Sequence, residues 1–101
     1  MEVRFRTNKL AKQFENPRKA QRAYGKQVAR RYIERINIIY EVKNIEELIN
    51  KHPPLECHPL KEDRQGECAI TLIGRWRLIF TLEGNQLQVV MIEEVSDHYG
   101  Q

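Results

Sequence analysis

Residues 68–95 read Cys68-Ala69-Ile70-Thr71-Leu72-Ile73-Gly74-Arg75-Trp76-Arg77-Leu78-Ile79-Phe80-Thr81-Leu82-Glu83-Gly84-Asn85-Gln86-Leu87-Gln88-Val89-Val90-Met91-Ile92-Glu93-Glu94-Val95. Three runs rich in β-branched and aromatic residues are separated by turn residues. The pattern predicts strands over Cys68–Ile73, Trp76–Leu82 and Leu87–Val95. Ile73-Gly74-Arg75-Trp76 predicts a tight turn, and Glu83-Gly84-Asn85-Gln86 a hairpin with Gly-Asn as its two-residue loop. Arg77 stands out, because it sits in the most apolar strand between Trp76 and Leu78. An arginine there needs a carboxylate, a phosphate or a wet concave face to offset its desolvation. A structural pair with Glu93, Glu94 or Asp97 on the neighbouring strand would meet that need, and so would a phosphate ligand.

Upstream of this sheet the period changes. Val3-Arg4-Phe5-Arg6 alternates and predicts a short strand. Thr7 or Asn8 caps a short helix through Leu10, Ala11 and Phe14. Asn16-Pro17 restarts a helix, with Asn at the N-cap and Pro at the first helical position, and that helix is expected to run to about Tyr40. Its apolar stripe is Ala20, Tyr24, Val28, Tyr32, Ile36 and Ile39. Lys19, Arg22, Lys26 and Arg30 fall on the opposite face. Gly25, near the apolar side, costs about 1 kcal/mol of helix propensity and is expected to admit the close approach of another helix. Asn44-Ile45-Glu46-Glu47 opens a short helix through Leu48 and Ile49, ended by Pro53-Pro54. Residues 55–66 read as a loop or irregular strand. The expected architecture is α+β: one domain over 1–101, an N-terminal strand and helices packed on one face of a small antiparallel sheet.

The 101 residues suffice for one core and not for two domains. With 41% hydrophobic and 31% charged residues the composition is globular. No apolar run approaches the length of a membrane span. Met1 to Arg6 alternates and lacks a signal-peptide core. Two cysteines point to a reducing compartment, so the cytoplasm is the expected location. Residues 1–35 carry 11 Lys/Arg against three Glu, a net of +8, and residues 36–101 six against 11 acids, a net of −5. A basic N-terminal third is the signature of a polyanion-facing surface. It equally fits a solvated helix face balanced by acids folded beside it.

His52, Cys57, His58 and Cys68 have residue types that suit zinc. Their spacing contains no Cys-x-x-Cys or His-x-x-x-His pair, so no metal and no cofactor are expected. Ser96 is the single serine. No glycine loop of phosphate-binding type is present.

The segment Leu60-Lys61-x-Asp63-Arg64-x-Gly66, the strand Trp76-Arg77-Leu78-Ile79-Phe80 and the closing Asp97-His98-Tyr99 resemble the HigB branch of the RelE/ParE toxin superfamily, the plasmid-maintenance killer proteins. The resemblance covers most of the chain and is most specific from Leu60 to Tyr99. It implies a ribosome-dependent mRNA endonuclease held inactive by a small antitoxin, a HigA-like helix-turn-helix protein. Partners are then the antitoxin, mRNA and the ribosome, with no membrane. The Lys of the family's Leu-Lys-Gly-Asp-Arg segment matches Lys61, with Glu62 where the pattern has Gly. The Arg of its Trp-Arg-x-x-Phe strand matches Arg77. Its terminal Asp-Tyr-His is represented by Asp97-His98-Tyr99, and the exchange leaves open which ring takes which role.

The residue types suit metal-free cleavage, in which the ribose 2′-OH attacks the adjacent phosphate. That needs a base, cations on the non-bridging oxygens, and an acid for the departing 5′-oxygen. Arg77 is suited to clamp the phosphate with its rigid fork, and Lys61 to add a point charge. His98 titrates near neutrality and suits acid or base. Tyr99 is suited to donate a proton or stack on a base. Asp97 orients a ring or caps the tail. Expected RNA contacts are Arg64, His58 (which otherwise is a turn residue beside Pro59), and the row Lys19, Arg22, Lys26 and Arg30. Two other functions fit the same fold: a non-nuclease toxin of the ParE kind that poisons DNA gyrase, and a non-catalytic RNA-binding module.

Overall fold

The three C-terminal apolar runs form an antiparallel meander: β3 (Glu67–Ile73), β4 (Trp76–Glu83) and β5 (Val89–Ser96). The computed structural model describes residues 1–97. Ala69 pairs with Ile79, and Ile79 in turn with Glu94, so the register carries one side-chain row across all three strands. Bulges interrupt it between Thr71 and Ile73 and between Ile79 and Phe80. The β4–β5 hairpin differs from the expected two-residue loop. Leu87 N–H bonds the Gly84 carbonyl at 3.1 Å, Leu87 turns to φ +52, and β5 starts only at Val89. The connection is therefore five residues, 84–88.

Two short strands complete the sheet in the order β1-β5-β4-β3-β2. β2 (His58–Pro59) pairs antiparallel with β3 at one edge. β1 (Glu2–Phe5) lies at the other edge, with Val3 beside Val90 and Phe5 beside Ile92. That last pairing is parallel, so the sheet is mixed where an antiparallel one is expected. The physical reason is the connection: parallel neighbours need a long crossover, and the whole helical half intervenes between β1 and β5.

The caps read from the sequence are in place. Thr7 Oγ1 accepts from Leu10 N–H at 3.2 Å at the start of α1 (Asn8–Glu15). Asn16 Oδ1 accepts from Arg18 N–H at 3.0 Å at the start of α2 (Pro17–Tyr24). Asn44 Oδ1 accepts from Glu47 N–H at 2.8 Å at the start of α4 (Ile45–Lys51). The expected continuous helix from Pro17 to Tyr40 is broken at Gly25. Its φ of +84 lies where side chains are strained. Its N–H closes α2 on the Gln21 carbonyl, and its own carbonyl accepts from Ala29 to open α3 (Lys26–Glu41). A Cβ placed on Gly25 would meet no atom within 4 Å, so the glycine serves a joint and not a close helix approach.

α3 is the central helix. Tyr32, Ile36 and Ile39, all fully buried, pack with Ile70, Leu72, Leu78, Phe80, Val90 and Ile92 of the sheet. The Tyr32 hydroxyl donates to the Leu10 carbonyl at 2.8 Å, which satisfies it in the core. Burial pushes the Tyr32 phenol well above its ordinary value. Arg35 is buried as well, donating from Nε to the Thr71 carbonyl at 3.3 Å. No helix among the described residues is long and apolar enough to cross a membrane.

Candidate functional site

Strand alternation resolves the position of Arg77. Trp76, Leu78, Phe80 and Leu82 belong to the core under the helices. Arg77, Ile79 and Thr81 therefore point to the opposite sheet face. Arg77 lies between Thr71 on β3 and Ser96 on β5. Its Nη1 donates to the carbonyls of Gly74 at 2.6 Å and Trp76 at 3.0 Å, which turns the guanidinium toward the β3–β4 turn. Two carboxylates weighed as its structural partners are engaged elsewhere. Glu93 accepts from Arg6 at 2.9 and 3.0 Å and from the Thr81 hydroxyl at 2.7 Å. Hydrogen bonding from Arg6 holds its carboxyl below the usual range. Glu94 accepts from Arg64. Asp97 directly follows Ser96, the β5 neighbour of Arg77. His98 and Tyr99 lie outside the described residues.

The β2–β3 connection covers part of this face. His58 stands beside Ala69, hence in the row His58–Ala69–Ile79–Glu94. Its Nδ1 lies 2.7 Å from the Glu56 carbonyl. A carbonyl only accepts, so Nδ1 is the donor in this contact. The Glu56 carboxylate accepts from the Thr71 hydroxyl at 3.1 Å, next to Arg77. Lys61 is exposed and makes no ion pair among the described residues. Arg64 is held by two acids: Nε to Glu67 at 2.8 Å and Nη2 to Glu94 at 3.0 Å. These bonds, from Glu67 first, raise its already high pKa. Ala69 and Ile79 are completely buried although they face away from the helices. The face thus carries Arg77, His58 and the Lys61 loop around a covered apolar patch, Ala69 and Ile79.

Glu62, which stands where the resembled pattern has Gly, adopts φ +58 in the short turn Glu62–Arg64. A side chain in the left-handed region costs about 1–2 kcal/mol. Glu62→Gly is therefore expected to raise Tm by at least about 4 °C, since 1 kcal/mol is worth about 4–8 °C in a domain of this size. An unchanged or lower melting temperature by circular dichroism would refute the assigned strain.

The four-residue basic row does not survive as one surface. Lys19 and Arg22 line a groove together with Lys9 and Lys12 of α1, and no acid lines it. Lys26 and Arg30 line a different groove beside Ala29, Ile33 and Glu34. Arg30 sits 3.8 Å from Glu34. The cause is Gly25: its backbone turn separates the α2 face from the α3 face. Lys9 and Lys12 escaped the sequence reading, although their three-residue spacing and the tight Asn16-Pro17 joint bring them beside α2. Glu67 also escaped it, and Glu94 was expected only as a partner of Arg77, because a bridge over an intervening strand leaves no local pattern.

Cys57 is buried and Cys68 half-buried, both reduced. Burial pushes the Cys57 thiol up to about 12, with Cys68 adding to the rise. Among the described residues no three His, Cys, Asp or Glu side chains gather as a metal-holding group.

No protein-family model and no curated protein matches the sequence. Solved structures do match the fold. The YoeB/ParE toxin from Agrobacterium tumefaciens superposes with a TM-score of 0.58 at 18% identity, over 98% of this chain and 100% of that one. The YoeB dimer from Staphylococcus aureus gives 0.54 at 14% identity over 98% of each chain. YafQ from E. coli gives 0.52 at 14% identity, over 94% of this chain and 90% of its own. Helices against one face of a five-stranded mixed sheet are thus the fold that this chain shares with the YoeB/ParE toxin and with YafQ.

Proposed function

We propose that this protein is the toxin of a type II toxin–antitoxin pair, of the HigB kind, and cuts mRNA on the ribosome. The observation that carries the reading is the placement of Arg77: on the sheet face away from the core, between Thr71 and Ser96, one residue before Asp97 in register. In this reading Arg77 grips the scissile phosphate with its fork and Lys61 adds a second positive charge. A base takes the 2′-OH proton, the 2′-oxygen attacks phosphorus, and the P–O5′ bond breaks as an acid protonates the leaving oxygen. The products are a 2′,3′-cyclic phosphate and a 5′-hydroxyl. Among the described residues, His58 is a candidate for one of these proton transfers, its ring set by the Nδ1 contact with the Glu56 carbonyl. His98 and Tyr99 complete the acid–base set. Full-length protein is expected to arrest translation with mRNA fragments ending in cyclic phosphate. Arrested DNA supercoiling with intact mRNA would assign the gyrase-poison alternative. Binding of RNA without cleavage would assign the non-catalytic module. The partner that keeps the site silent is a HigA-like helix-turn-helix antitoxin, and the expected location is the cytoplasm.

The α1–α2 groove suits the phosphate backbone of ribosomal RNA, because four cations line it with no acid among them. Charge reversal at Lys9, Lys12, Lys19 and Arg22 is expected to weaken ribosome binding. The log–log salt slope should fall by about 0.7–0.9 for each phosphate that the variant no longer neutralises. Reversal at Lys26 and Arg30 should change it less. All six are exposed, so stability should stay within about 0.5 kcal/mol per site. Equal binding by the four-site variant and the native protein would reduce the groove to a solvated face.

A further inference from the structure

The segment between β2 and β3 carries Lys61, yet its backbone is poorly suited to hold itself in place. Leu60 N–H bonds the Glu67 carbonyl at 2.8 Å at the base of the loop. Inside it, among the described residues, the backbone bonds that tie the turn are Arg64 N–H to the Lys61 carbonyl, at 3.2 Å, and Gln65 N–H to the Glu62 carbonyl, at 3.1 Å. Glu62 sits at φ +58, a conformation that a side chain disfavours. Something outside the backbone has to hold this turn.

The Arg64 side chain is in position to do so. Glu67 lies on β3 opposite Thr81, and Glu94 lies on β5 opposite Ile79. The two acids therefore flank β4, and the guanidinium that bonds both passes over that strand. Ile79 beneath it is wholly buried, and Arg77 is the next residue of β4 on the same face. The bridge thus fixes the Lys61 turn to the strand that carries Arg77. Arg64 suits this task where Lys would not, because a planar fork bonds two acceptors in set directions.

We propose that Arg64 is a positioning residue and not an RNA ligand: clasped between Glu67 and Glu94, it pins the strained turn that carries Lys61 to the sheet face that carries Arg77. The part that concerns cleavage rests on the nuclease reading above. A phosphate would have to displace a carboxylate to reach this guanidinium, which sets the two roles apart in an experiment.

The test compares Arg64→Ala, Arg64→Lys, Glu94→Ala and the double variant Arg64→Ala/Glu94→Ala with the native full chain. The first readout is amide exchange at residues 60–66, which needs no activity. Opening the clasp should speed exchange of Arg64 and Gln65 about tenfold, with the core strands unchanged. The second is cleavage of ribosome-bound mRNA. Arg64→Ala and Glu94→Ala should each lower kcat about 10- to 100-fold with KM within about twofold. The double variant should be no worse than either single one, as for two members of one interaction. Arg64→Lys should recover part of the loss. Unchanged exchange in both single variants would overturn the clasp whatever happens to cleavage. A lower KM in Glu94→Ala would also overturn it, because removing the acid would then have freed an RNA-binding arginine. A native protein inert toward RNA, with the exchange difference intact, would overturn the nuclease reading and leave the clasp standing. Glu94 is largely exposed, so its variant keeps the test open if Arg64→Ala fails to fold.

Discussion

Arg77→Ala is expected to abolish growth arrest on expression while leaving a folded domain. The side chain lies on the sheet face opposite the core, so its removal opens no cavity among Leu78, Phe80 and their neighbours. Its structural losses include the bonds to the Gly74 and Trp76 carbonyls. Each is worth about 0.5–1.5 kcal/mol net, which shifts Tm by several degrees without unfolding the protein. What it loses chemically is larger. A preorganised donor aimed at developing negative charge contributes about 10²–10³ in kcat. Cleavage should fall by at least that factor. Arg77→Lys should fall between the two, since it keeps the charge and loses the fork. A folded Arg77→Ala protein that cuts mRNA at the native rate would remove Arg77 from the mechanism.

The sheet was legible because its cues are local. Period-two alternation and turn residues marked β3 and β4 to within a residue of their observed ends. The caps at Thr7, Asn16 and Asn44 were legible for the same reason: each is one side chain bonding a neighbour two or three residues on. What failed was nonlocal or hung on one torsion. The parallel seating of β1 against β5 depends on an 87-residue separation, and no pattern in Val3-Arg4-Phe5 encodes its direction. Gly25 read as a tolerated glycine in a long helix, because the apolar stripe continues on both sides of it. One positive φ there splits the helix and divides the basic row between two grooves. In the site, Arg77, Lys61, Arg64 and His58 were legible as residues. Their arrangement was not: the Arg64 bridge joins residues 67 and 94 across a strand that touches neither in sequence. Glu62 carried a readable sign, since glycine in the resembled pattern implied the backbone that Glu62 is seen to adopt.

Removal of residues 97–101 is expected to leave a folded but inactive domain. Among the described residues, the last members of the core are Ile92 and the half-buried Val95. The melting temperature should therefore stay close to that of the native chain. The chemistry, by contrast, concentrates at the end of the sequence. His98 brings an imidazole, a ring type whose ordinary pKa of about 6.5 suits acid or base work. Tyr99 adds a second proton-bearing ring. Losing the general acid or base of a phosphoryl-transfer step costs about 10²–10⁴ in rate, so mRNA cleavage should fall by at least two orders of magnitude. Point variants then separate the rings. His98→Gln should flatten one limb of the pH–rate profile if the imidazole moves the proton, and Tyr99→Phe should do so only if the phenol does. Ribosome binding through the α1–α2 groove should survive all three changes, because Lys9, Lys12, Lys19 and Arg22 lie on the helical layer, against the other side of the sheet. Cleavage at the native rate by the shortened protein would exclude Asp97, His98 and Tyr99 together. The acid–base work would then fall to His58, whose Nδ1 is already tied to the Glu56 carbonyl.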